Sequence, residues 1–176
     1  MDYLWTPWRY RYIVEAGKST GCVFCDAPAA NRDAKTLIVF RGKKAYIILN
    51  RFPYTAGHVM IVPYQHTADF AHLDIETTAE IMQLAQRVQA ALETVYHPEG
   101  YNLGMNLGRA AGAGIAEHLH LHLLPRWTGD TNFMTTISET RLEPEDLSTT
   151  YRKLRAALEP EAFPGNTPGE LVEPRS

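Results

Sequence analysis

Residues 118–123 read His-Leu-His-Leu-His-Leu inside the otherwise apolar stretch Ile115–Pro125, and this strict period of two confines the segment to an extended strand. Successive side chains of a strand leave opposite faces, so His118, His120 and His122 share one face and Leu119, Leu121 and Leu123 the other. Partly buried imidazoles need hydrogen-bond partners and titrate near neutral pH, so a row of three is costly unless something uses it. A single histidine in such a place is usually a satisfied core residue, whereas three in register point to chemistry. Two uses are open. A His-x-His pair on one strand face can share a metal through neutral ring nitrogens; a catalytic metal normally adds a base, however, and Glu117, the one acid within the strand, falls on the leucine face. Alternatively one imidazole is a nucleophile, with one ring nitrogen bare and the other keeping its proton on a carbonyl or carboxylate. Neighbouring histidines then steady a leaving group or phosphate oxygens.

The ordered run His118-Leu119-His120-Leu121-His122-Leu123-Leu124 fits the pattern His-φ-His-φ-His-φ-φ, φ being apolar, and by it the chain resembles the histidine triad (HIT) superfamily of nucleotide hydrolases and transferases. Upstream, Asn50–His58 (NRFPYTAGH) resembles the family's segment joining two strands. Downstream, Pro125–Phe133 (PRWTGDTNF) is similar to the tail of the fragile-histidine-triad branch, above all in bacterial diadenosine tetraphosphate phosphorylases. With Asn102–Asn106 (NLGMN), the match covers roughly residues 20–135.

The resemblance implies a fold and a reaction. The fold is α+β, an antiparallel sheet of about five strands with two main helices, joined across a homodimer or higher homo-oligomer. The reaction is nucleotidyl transfer from a diadenosine polyphosphate to phosphate through a nucleotidyl-histidine intermediate. Hydrolysis of such substrates or of nucleoside phosphoramidates, releasing AMP, is the alternative within the class; a nucleotide-binding sensor or scaffold is the alternative outside it. Carried over residue by residue, His120 is the nucleophile, His122 stands by the α-phosphate and leaving oxygen, His118 holds the nucleophile's second nitrogen protonated through its backbone carbonyl, and His58 lies beside the active site. Asn50 is the ribose binder and Asn106 a substrate-binding position. The small-residue loop before the triad contributes Gly112, Ala113, Gly114 and Ile115, whose amides can approach a phosphate closely, with Arg109 adding charge. Trp127 marks the phosphorylase branch. One departure stands out: phosphorylase relatives tend to carry a hydroxyl residue four positions before the first triad histidine, where this chain has Gly114.

Cys22-Val-Phe-Cys25 can be redox-active, zinc-binding or incidental. A redox pair usually opens a helix after a strand, and nothing upstream reads as that strand. Family members with this motif hold a structural zinc with both cysteines, a histidine shortly after the second strand of a hairpin, and the first triad histidine. The matching set is Cys22, Cys25, His66 and His118. His72 and His97 read as surface residues. No organic cofactor is implied; a divalent cation accompanying the polyphosphate is compatible with the chemistry.

The rest of the chain bounds these readings. Its 176 residues, 45% hydrophobic, suit one domain with an ample core. A formal charge of −3 argues against a grip on nucleic acid, so a nucleotide is the more natural ligand. No apolar run approaches the roughly 18 residues of a membrane span, and Met1–Ile13 lacks a signal peptide's apolar core, so no membrane partner and a cytoplasmic location are expected. Residues 1–19 form an arm carrying Tyr3, Trp5, Trp8, Tyr10 and Tyr12 among Arg9 and Arg11. It could stack bases or sit on a membrane surface, or lie across its own domain or a partner subunit, as the aromatic-arginine mixture favours. The HIT-like domain spans 20–159. The tail, 160–176, with four prolines and two glycines, reads as disordered.

Within the domain, strands are expected at Thr36–Phe40, Lys44–Leu49 and His58–Pro63, with a hairpin turn at Arg41-Gly42-Lys43. A helix is expected over Asp74–His97, capped by Asp74 and ended by Pro98 and Gly100. Another strand follows at Tyr101–Leu107, then the histidine strand, then a helix starting near Pro144 with Leu147, Tyr151, Leu154 and Leu158 on one face. Hairpin-joined strands packed on helices give α+β with an antiparallel sheet.

Overall fold

A computed structural model describes residues 21–130 and 145–159; the aromatic arm and the C-terminal tail lie outside the described residues. In chain order the elements are α1 (Val23–Ala29), α2 (Asp33–Thr36), β1 (Ile38–Arg41), β2 (Ala45–Leu49), β3 (Val59–Pro63), α3 (Ile75–Tyr96), β4 (Gly100–Met105), a 3-10 turn (Arg109–Ala111), β5 (Leu121–Arg126) and α4 (Leu147–Ala157). The strands form one five-stranded sheet in the order β1-β2-β3-β5-β4, every pairing antiparallel. This is the α+β architecture expected. Among the described residues, no helix is long and apolar enough to cross a membrane.

Alternation along the strands sorts the core into two layers. Ile47, Leu49, Val59, Ile61, Leu119, Leu121 and Leu123 join Ile81, Leu84, Ala85, Val88 and Leu92 of α3 and Leu154 of α4 in one cluster. On the opposite face Tyr46, Ile48, Met60 and Val62 meet Phe24 and Ala27 of α1. Strands β2 and β3 are buried throughout because each of their faces is covered, whereas β5 alternates buried and half-buried. Leu121 and Leu123 face α3, and the other face of the strand opens toward the candidate site.

Local chemistry explains the helix ends. Asp74 Oδ1 accepts from the Thr77 amide at 2.8 Å and Oδ2 from the Thr77 hydroxyl at 2.7 Å, a side-chain N-cap for α3. His97 ends the helix in the left-handed region (φ 46°), and Pro98 follows. The last helix begins at Leu147, where the Asp146 carboxylate accepts from the amides of Ser148 and Thr149 and so marks the first turn. The β1–β2 hairpin is pinned to α3: both carboxylate oxygens of Glu80 accept backbone amides, from Lys43 and Lys44, at 2.6 Å each.

Helices α1 and α2 were not expected from the sequence, since seven and four residues hold no usable period, and one expectation about the histidine strand needs correction. The ladder of the histidine strand starts only at Leu121, opposite Met105 and Ile61. Residues 118–120 are tied instead through the Leu119 amide to the Thr67 carbonyl at 2.8 Å. For the same reason β4 stops at Met105 rather than reaching Leu107. Glu117 is therefore not on a leucine face; it is exposed, with Arg109 3.6 Å away.

Candidate active site

Ladder register sets the site. Met60 on β3 and Gly104 on β4 both pair with His122, so His122 sits between strands on the face opposite α3. Although outside the ladder, His118 and His120 keep the alternation, and both are buried, His120 at 6% exposure. The His120 and His122 rings meet edge-on with centroids 4.8 Å apart.

Groups that can only donate or only accept fix the protons on these rings. The carbonyl of His118 can only accept, so His120 Nδ1, 2.8 Å from it, carries a hydrogen. His120 Nε2 is left bare and basic, as a nucleophile requires. The Tyr54 amide can only donate, and it donates to His58 Nδ1 at 3.2 Å. His58 Nε2 then holds the proton and gives it to His122 Nδ1 at 3.0 Å. By elimination His122 carries its hydrogen on Nε2, as a donor. The row thus sets a bare nitrogen and an N–H donor on neighbouring rings.

Electrostatics keep the row neutral. Burial lowers the pKa of His120, partly opposed by the bond to the His118 carbonyl. Burial, and secondarily the neighbouring His120, depress His122 to about 4. His118 is lowered too, mainly by burial.

A second cluster adjoins the row. His118 Nε2 donates to the Pro63 carbonyl at 2.9 Å, so its Nδ1 presents a lone pair toward Cys22 Sγ at 3.2 Å and Cys25 Sγ at 3.6 Å. His66 Nδ1 lies 3.3 Å from Cys25 Sγ. The ligand atoms of Cys22, Cys25, His66 and His118 all fall within 4.8 Å of one another. A tetrahedral zinc with ordinary bond lengths would set such atoms about 3.6 Å apart, so the donor set and spacing fit that ion. Burial, then the adjacent Cys22, raises the Cys25 thiol, a crowding that a cation would relieve. The cysteines open helix α1, with Cys22 at its N-cap position.

The remaining expected residues are distributed as follows. Asn50 is beside the row, but its amide is engaged at both ends: Oδ1 accepts from the Phe52 amide at 2.9 Å and Nδ2 faces His58 Nδ1 at 3.3 Å. Asn106 is exposed, one residue past the Met105–Leu121 pair that ends the ladder. In the small-residue loop, Gly108 and Gly112 have φ of 83° and 89°. The amides of Ala111, Gly112 and Ala113 donate within the loop, to the carbonyls of Gly108 and Arg109, so the amides of Gly114 and Ile115 lie outside that internal bonding. Trp127 is five residues beyond His122, about 16 Å along an extended chain, and packs edge-on to Tyr96; it is not part of the histidine cluster. Asp130 holds that turn by accepting from the Arg126 guanidinium and the Trp127 amide.

Two residues were missed from sequence. Tyr54, half exposed, orients His58 through its amide and lays its ring 4.9 Å from the His58 ring. Phe24, buried, puts its ring 4.9 Å from His120 and 5.5 Å from His118. Tyr54 lay within a segment already singled out; Phe24 had only its place between the two cysteines to signal it.

Comparisons with known proteins find relatives along most of the chain. The HIT domain family model matches residues 31–129. The AP-4-A phosphorylase of Mycobacterium tuberculosis (strain ATCC 25618 / H37Rv) is 40% identical over 162 residues, 88% of this chain and 83% of that protein. A Zn-bound histidine triad family protein from Mycobacterium smegmatis has a crystal structure that superposes with a TM-score of 0.64 at 33% identity, covering 78% of this chain and 93% of that one. A hypothetical histidine triad nucleotide-binding protein from Sulfolobus tokodaii strain7 gives 0.63 at 26% identity, covering 78% and 91%.

Proposed function

The chain belongs to the HIT domain family, and from that premise we propose that it transfers a nucleotidyl group from a diadenosine polyphosphate, most simply diadenosine tetraphosphate, to inorganic phosphate. The observation that carries the reading is the 2.8 Å contact of His120 Nδ1 with the His118 carbonyl, which leaves Nε2 bare. Nε2 attacks an α-phosphorus; a P–N bond forms while the P–O bond to the leaving nucleotide breaks. His122 Nε2–H steadies the oxygen that departs, and His58 keeps that hydrogen on Nε2 by donating to Nδ1. The intermediate ring is cationic, and the His118 carbonyl still accepts its Nδ1–H. Phosphate oxygen then attacks the same phosphorus and restores the free imidazole, giving ADP beside ATP. The amides of Gly114 and Ile115 serve the phosphates, Asn106 the nucleotide next to His120, and Asn50 the ribose after its present bonds open. Trp127 serves the far end of a long substrate.

The AP-4-A phosphorylase relative supports phosphate as acceptor, while Gly114 in place of a hydroxyl is the feature favouring water. The test is incubation with diadenosine tetraphosphate and labelled phosphate. Label entering ADP, with turnover dependent on phosphate, is the expected result. AMP formed at a rate indifferent to phosphate selects hydrolysis, and binding without turnover selects a sensor.

Cys22, Cys25, His66 and His118 form a structural zinc site in this reading, on the strength of their donor chemistry and spacing. The protein is also a homodimer in this reading: β4 is one of the two edge strands, and Leu103 on it is 49% exposed, leaving an edge on which a second sheet can continue. Light scattering across a sizing column should give twice the chain mass; the mass of one chain at micromolar concentration would remove this part of the reading.

A further inference from the structure

A structural zinc site accounts for four side chains but not for what lies between its cysteines. We propose that the Cys22–Cys25 end of α1 is a positioning lever for His120, so that opening the Cys22, Cys25, His66 and His118 cluster misaims the nucleophile. The inference rests on His120 being the nucleophile.

Two routes join the cluster to that ring. The first runs through His118, whose imidazole is clamped by the Pro63 carbonyl and the two sulfurs while its own carbonyl accepts the His120 Nδ1–H. Ring and carbonyl belong to one residue, so rotation at position 118 moves the acceptor. The sheet ladder begins only at Leu121, so the peptide that carries the His118 carbonyl is held by a single backbone bond, from its Leu119 N–H to the Thr67 carbonyl, 2.8 Å. The aim of His120 therefore depends on that one bond together with how firmly the His118 ring is held.

The second route runs through Phe24. Its ring is buried against His120 and His118, and its carbonyl accepts from the Tyr46 hydroxyl at 2.6 Å. Phe24 sits on a seven-residue helix, too short to be stable alone, so its placement comes from tertiary ties. Two of those ties are the cysteines on either side of it. Releasing the sulfurs frees the helix that wedges the nucleophile from one side, at the same moment as it loosens one of the restraints on the residue whose carbonyl holds its proton on the other.

His66 is the exposed member of the set, so His66→Asn removes one ligand without opening the core. The probe is zinc(II) added at one equivalent. Readouts are metal bound per chain, kcat and KM with diadenosine tetraphosphate, and the ring-nitrogen NMR signals of His120. Relative to the zinc-loaded parent, the variant should lose metal, drop kcat by about tenfold, the lower end of losses from disturbing a metal's supporting shell, and keep KM within about twofold. The His120 signals should move from one Nδ1–H tautomer toward an average of two. Phe24→Ala should reproduce the kcat loss with metal retained, and Phe24→Leu, which keeps most of the apolar wedge, should recover activity and guards against a misfolded alanine variant. Loss of metal with kcat and the His120 signals unchanged would overturn the proposal, as would a parent that binds no zinc(II) or a variant altered only in KM. Should His120→Ala remain active, the nucleophile reading itself fails, a separate outcome.

Discussion

His120→Ala is expected to lower turnover of diadenosine tetraphosphate by at least about 10³-fold, the scale seen when a covalent nucleophile is removed. No neighbouring ring can take over. His122 holds its proton on the outward nitrogen because His58 occupies the other, and both His118 nitrogens are committed, one to the Pro63 carbonyl and one toward the sulfurs. The fold should survive, since His120 lies beside the two apolar clusters rather than among their members. Truncation there should cost on the order of 1–3 kcal/mol, as for a partly collapsible cavity. The measurement is a single turnover with substrate labelled at the α-phosphorus, quenched in alkali because phosphorus–nitrogen bonds on histidine hydrolyse in acid. Label should stay on the parent chain and be absent from the variant. Labelled protein formed by His120→Ala, or turnover within tenfold of the parent, would falsify the assignment.

Lowering the pH from 7 to about 4.5 should destabilise the protein by about 2 kcal/mol through His122 alone. Burial holds His122 at about 4 in the folded protein, against roughly 6.5 for an unfolded histidine. Between these values the unfolded chain binds more protons, so stability is intact above pH 6.5 and is lost as pH falls toward 4. The complete window is about 3 kcal/mol at 1.36 kcal/mol per unit, reduced here because the ring is partly exposed and the window incompletely crossed. The N-cap carboxylate of Asp74 works in a different range: held at about 2, mainly by its bonds to Thr77, it gives up its contribution only below about pH 4. Urea unfolding at pH 7 and pH 4.5 measures the effect, and His122→Asn should flatten the difference. Equal pH dependence in parent and variant would assign the acid sensitivity elsewhere.

Much of the fold was legible because its elements carry strong periods. The α3 helix announced itself by apolar positions at three and four and by an aspartate at its start, and it runs from Ile75 to Tyr96 as those signals indicate. Strands β1 to β3 fell within a few residues of their expected bounds. Helix α1 was not legible, because seven residues hold too few turns for a period and its stability comes from neighbours distant in sequence. The four proposed ligands were named together through a family resemblance; their spacing along the chain, from 22 to 118, has no local meaning.

By itself, the alternation of histidine and leucine determined that three imidazoles share a face, because side-chain direction along an extended chain follows from covalent geometry and needs no partner. Only the tertiary structure decided what each ring does. A proton settles on one nitrogen or the other according to which group faces it: the His118 carbonyl for His120, the Tyr54 amide and His122 for His58, the Pro63 carbonyl for His118. The His118 carbonyl and the Tyr54 amide are close in sequence to the rings they meet, but His122 for His58 and the Pro63 carbonyl for His118 come from segments 64 and 55 residues away, and the energy of a hydrogen bond depends on distance in space, to which sequence separation is blind.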